Sequence, residues 1–183
     1  MDRREALTLT TSLLGVTLIG SQVFLGACST PAKGAPMLAR EDFPLLNALA
    51  DGILPDSERS PGAGKAGVGH FIKAIVSDCY SVEEETRFVE GLRSLEAELQ
   101  DTYGKRFTDL EAADRLAVLT RYDTEARRQE AAGDTPFYSM LLQLTIWGYF
   151  ISEPGATQAL RYIQTPGRFE GCVPYTQGDK AWA

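Results

Sequence analysis

The residues of this sequence that could do chemistry are few and scattered. There is one histidine, His70, in 183 residues. It sits where a helix should begin, beside Phe71, and an imidazole in so apolar a setting is more often a partly buried structural group than a proton shuttle. Asp51 and Asp56 flank a loop and could hold a cation or partner His70. Acids at a helix end more often accept from loop amides. Cys28, Cys79 and Cys172 lack the close spacing of a redox CxxC or a zinc site, and no second His is available for haem. PGAGKAG (61–67) is not a phosphate loop, because Lys65 is followed by Ala66 where Ser or Thr is required. No GxGxxG follows a strand, and the GxSxG elbow of hydrolases is absent. A chain without a nucleophile–base pair, metal cluster or cofactor cradle is not expected to catalyse alone. An enzyme using His70 with Asp51 or Asp56 stays open as one reading.

The stretch that would position these groups is Leu49–Ile72. Pro55 cannot continue the helix that Ala50–Leu54 closes, because it has no backbone N–H and crowds the preceding turn. Pro61, Gly62, Gly64 and Gly67 punctuate a loop, and apolar spacing resumes at Val68, Phe71, Ile72 and Ile75. The pattern predicts a first helix from near Asp42, with Asp42 as N-cap and Pro44 in the first turn, burying Phe43, Leu46, Leu49, Ala50 and Ile53. A second helix is predicted over about 68–79.

Ser81-Val82-Glu83-Glu84 is a capping-box pattern and opens a long helix with Phe88, Leu92, Leu95 and Leu99 on one face, stopped by Gly104. Thr108-Asp109-Leu110-Glu111 repeats the pattern, and predicts a helix facing Leu110, Ala113, Leu116, Ala117, Leu119 and Tyr122 inward until Gly133. After Thr135-Pro136, Phe137–Ser152 contains no charged residue. A helix apolar all round is normally buried all round, as a central core helix or under another protein. It is too short to cross a membrane. Pro154 and Gly155 break it, a short helix is expected over about 156–163, and 165–183 reads as an irregular tail. No strand pattern of useful length occurs. The fold class is all-α, a small bundle of about five helices.

Length supports one domain with a real core. The formal charge is −7. Residues 1–27 hold Asp2, Arg3, Arg4 and Glu5, so their removal leaves it unchanged, and an acidic chain is a poor nucleic-acid binder. Arg3 and Arg4 precede a diluted apolar run, Leu7–Leu25, and resemble a twin-arginine export signal, with Ala6 where a larger residue is preferred. Leu25-Gly26-Ala27-Cys28 resembles a lipobox in which Cys28 is lipidated. The expected organisation is a signal peptide over 1–27, a small, Pro-interrupted tether over 28–39, and a helical domain over 40–183. An uncleaved membrane anchor is the alternative. Export implies an oxidising compartment.

LADGILPDSERSPGAGKAGVGHFI (49–72) resembles the signature of the gluconate 2-dehydrogenase subunit 3 family. WGYFISEPGATQALRYIQTPGRFEGCVPYTQGDKAWA (147–183) resembles the family's C-terminal pattern of an aromatic GY, an SE-x-G turn, PG, GC and a closing AW. From Tyr80 to Pro136 the similarity is of helical pattern more than of residues. The resemblance implies a small secreted subunit, with no cofactor of its own, that accompanies a glucose–methanol–choline-type flavin dehydrogenase of sugars or polyols. FAD would lie in that large subunit, and electrons would pass to a quinone or to a cytochrome, with haem then in a cytochrome c subunit. The small chain would stabilise its partner, escort it through the twin-arginine route, and hold it at the periplasmic face of the membrane through the lipid on Cys28. A stand-alone periplasmic scaffold or binding lipoprotein is the alternative. Cys79 and Cys172 could bridge each other, or Cys172, in the family-like GC, could bond the large subunit, or both could stay free. Phe169, Tyr175 and Trp182 in the tail, with Pro61 and Gly62 in the 55–67 loop, are the expected partner interface, since aromatics on irregular backbone bury much area for few rotatable bonds. The other possibility is that the tail merely covers its own helices.

Overall fold

A computed structural model describes residues 37–165, 167–169 and 171–182. Five α-helices follow in order: α1 (Phe43–Ile53), α2 (Val68–Asp78), α3 (Val82–Tyr103), α4 (Ala112–Ala131) and α5 (Phe137–Ile151). Short 3-10 turns precede α1 (Arg40–Asp42) and α4 (Phe107–Asp109), and a π-type turn, Gly155–Ala159, follows α5. No strand occurs among the described residues; one isolated bridge pairs Arg161 with Trp182. The expected all-α bundle is what forms.

The uncharged helix is the hub. α5 packs on each of the other four helices and buries Phe137, Tyr138, Met140, Leu141, Leu144, Thr145, Gly148 and Tyr149. Leu46 and Leu49 of α1, Ile72 and Val76 of α2, and Phe88, Leu92, Leu95 and Leu99 of α3 complete the core, all essentially inaccessible. Burying each such side chain contributes roughly 1.5–3 kcal/mol. Yet α5 is covered on one side only, and Gln143, Ile146, Trp147 and Ile151 remain exposed. No helix among the described residues is long and apolar enough to cross a membrane.

The Ser81 capping box forms as read: the Ser81 hydroxyl accepts from the Glu84 amide (3.3 Å), and Glu84 Oε2 accepts from the Ser81 amide (2.9 Å). Thr108–Glu111 does not behave as a second one. Phe107 is fully buried and draws its neighbours into the 3-10 turn, the Thr108 hydroxyl donates to Asp109, and α4 starts only at Ala112. Arg115 reaches back to the carbonyls of Leu110 (2.9 Å) and Thr108 (2.5 Å), fixing that junction. Of the expected inward residues, Leu110 and Leu119 are buried and Tyr122 half-buried, but Leu116 is 64% exposed and Ala113 and Ala117 lie outside as well; Val118 and Ala126 take the core side of α4 instead.

Asp42 stands at the expected N-cap position of α1, with Pro44 in the first turn, but its side chain is used elsewhere. It makes no cap bond to α1. Its carboxylate, 4% exposed, instead accepts from the Ala39 amide (2.7 Å) and, in a fork, from both Nη atoms of Arg93 on α3 (2.6 and 2.9 Å). Phe43 is accordingly half-buried, and so is Ile53.

Candidate functional site

The loop after α1 is tied to α1 and α5 and braced within itself, and the two helices it joins are bonded to each other. Asp51 Oδ1 accepts from the Gly64 amide and Asp56 Oδ1 from the Gly62 amide, both at 2.7 Å. Asn47 Oδ1 accepts from the Gly69 amide (3.1 Å), and the Tyr149 hydroxyl of α5 donates to the Pro61 carbonyl (2.8 Å). The carboxylate sits so close that a Cβ on Gly64 would lie 2.3 Å from Asp51 Oδ2, and one on Gly62 would lie 2.6 Å from Oδ1. Glycine is required there because the acid occupies the side-chain space. Asp56 additionally pairs with Lys65, and that ammonium, together with the Gly62 amide, holds its carboxyl below the usual range. Both acids are thus engaged by the loop, the commoner of the two expected fates. Of the sequence-predicted interface residues here, Gly62 is buried and Pro61 half-buried.

His70 lies on the surface. Its ring stacks on Phe43 (centroids 4.3 Å apart, planes at 21°), so the sole imidazole is more exposed than its apolar neighbours suggested. Among the described residues no group of three or more His, Cys, Asp and Glu is arranged to hold a metal.

The tail is different in kind from the loop. After the π-type turn the chain runs outward and returns to Arg161. The Arg161 amide donates to the Ala181 carbonyl (2.8 Å), its guanidinium pairs with Asp179 (3.1 Å), and the same guanidinium lies over the Trp182 ring (5.3 Å to the centroid). Lys180 Nζ donates to the Gln158 carbonyl. One residue therefore holds hydrogen bond, ion pair and cation–π contact at once, closing the tail into a loop. The expected anchors stand out from it: Phe169 is 96% exposed, Tyr175 74% and Trp182 52%. Tyr162, Ile163 and Val173 are exposed as well. Among the described residues, none of the tail's hydrophobics packs on the helical core.

Cys79, at the end of α2, and Cys172, in the tail loop, are both free and exposed, so the bridge between them that the sequence left open is not formed. Arg3, Arg4 and Cys28 lie outside the described residues. Arg161 escaped sequence reasoning altogether, because its partners lie about twenty positions away and no local pattern links them.

A family model described as gluconate 2-dehydrogenase subunit 3 matches residues 40–167. That span takes in the whole 49–72 block, but the C-terminal block only as far as Gly167. No curated protein and no solved structure matches the chain.

Proposed function

The chain belongs to the gluconate 2-dehydrogenase subunit 3 family, and from that premise we propose that it is the non-catalytic small subunit of a periplasmic, membrane-associated, flavin-dependent dehydrogenase of sugars or polyols. The observation that carries this reading is the family match across the whole helical bundle. The tail supports it with a surface suited to the role: aromatic anchors on a loop already closed by Arg161, whose ordering cost is met before a partner arrives. On this reading FAD resides in the large subunit, electrons leave through a haem-bearing cytochrome c subunit, and this chain contributes contact surface, export address and lipid anchor. Phe169, Tyr175 and Trp182 clasp the large subunit.

Co-expression with the flavin-bearing dehydrogenase subunit of the same cells tests it. The two chains should co-elute with flavin absorbance. Changing Arg3→Lys and Arg4→Lys together should leave both in the cytoplasm, and Cys28→Ala should release the pair from membranes. Separate elution overturns the subunit role. Normal export of the double-lysine variant, where only the twin-arginine route is open, overturns the escort role.

A further inference from the structure

We propose that the uncovered side of α5 is a second docking surface, built for an apolar face of the flavin-bearing protein subunit; this rests on the small-subunit reading above. Gln143, Ile146, Trp147, Phe150 and Ile151 recur at helical spacing, and of these only Phe150 is half-buried. A helix face that stays in water ordinarily carries charge, as α4 does with Arg121, Arg127 and Arg128. This one carries none. Contiguous exposed apolar surface of this kind marks an interaction site.

Trp147, the largest residue of the stripe, is braced by its neighbours. Trp147 meets Phe71 of α2 edge-on (centroids 5.4 Å apart, planes at 81°), and Phe71 is itself seated against Gly148, where an added Cβ would come within 2.5 Å of its ring. A tryptophan held in one orientation loses little freedom on binding, and such residues dominate interface energies. The chemistry of the surroundings selects the occupant. Residues 137–160 contain Glu153 and no lysine or arginine, so an anionic bilayer would find no cation on this stretch, whereas surface-lying membrane helices rely on them. A chain of a multi-subunit family with a neutral, largely apolar stripe fits a protein face of the same character.

The test uses the mature chain and the purified flavin subunit, with binding followed by flavin absorbance in the complex. Trp147→Glu should weaken binding about tenfold or more, while its melting temperature stays near that of the parent. Leu116→Glu, on α4 and exposed to a similar degree, should leave binding unchanged. A photo-crosslinking residue at Gln143 should capture the flavin subunit, and this reads contact even if Trp147→Glu folds poorly. Unchanged binding by Trp147→Glu, or crosslinks confined to a second copy of this chain or to its own residues 28–36, overturns the proposal. If the parent chain does not bind the flavin subunit, the small-subunit reading fails and the docking surface falls with it. If the parent binds and Trp147→Glu binds equally, the docking surface alone fails.

Discussion

Asp42 and Arg93 show how much of the fold hangs on single side chains. Burial alone would push the Asp42 carboxyl up, but the forked Arg93 contact, the Ala39 amide and the guanidinium charge outweigh it and hold the group below its usual range. A carboxyl depressed in the folded state contributes stability above its unfolded pKa of about 3.9 and loses that contribution as pH falls through the lower folded value. Asp42→Asn should therefore cost about 1–3 kcal/mol at pH 7, leaving the guanidinium with a weaker acceptor, and the gap between variant and parent should close in acid. Urea melts at pH 7 and pH 3 check it; an equal deficit at both values would put the cost in packing instead. The sequence offered Asp42 as a cap because Asp before Phe-Pro fits one. Its true partner lies 51 residues away, and pairing at that range leaves no local trace. Where partner and signal are both local, as in Ser81–Glu84, the reading held.

The helices themselves were legible from periodicity, and their failures are instructive. The expected face of α4 holds at Leu119 and Tyr122 and fails at Ala113, Leu116 and Ala117, where the helix begins only after the turn at Phe107. The half-covered state of α5 was not readable, because an uncharged helix looks the same whether its outer side is covered or not. Contact between α3 and α5 rests on Gly91, where an added Cβ would lie 2.2 Å from the Phe137 Cβ. That atom is the root of a side chain locked edge-on to Phe88 (5.1 Å) and cannot swing aside. Gly91→Ala gains roughly 1 kcal/mol in helix propensity but incurs overpacking of about 1–3 kcal/mol. The expected net result is a lower midpoint in thermal unfolding; a higher one would mean that α5 shifts freely on α3.

Across the whole molecule, a helical body and an outlying loop divide the work. Among the described residues, the core and the hydrophobics packed on it extend no further than Ala159. Truncation after Tyr162 should leave the melting temperature within a few degrees of the parent and abolish co-purification with flavin activity. Unfolding of the shortened chain, or full retention of the partner, would show that the tail is no clasp. The family-like blocks pointed to the tail correctly as aromatic and irregular. They could not reveal that it closes on Arg161, since ion pair and cation–π contact join residues with no shared motif. Likewise, Pro61 and Gly62 were expected at the partner interface, although Tyr149, 88 positions on, already holds the Pro61 carbonyl.

The closure at Arg161 separates two degrees of constraint within one segment. Each doubling of a closed loop's length costs only about 0.6 kcal/mol, so the residues between Arg161 and Asp179 can be lengthened, shortened or rewritten with little penalty to the body that carries them. Arg161, Asp179 and Trp182 are not free in this way, because they set where the loop leaves and returns. Grafting a longer tip between those fixed points would retune which surface the loop reaches, while the bundle beneath it stays the same.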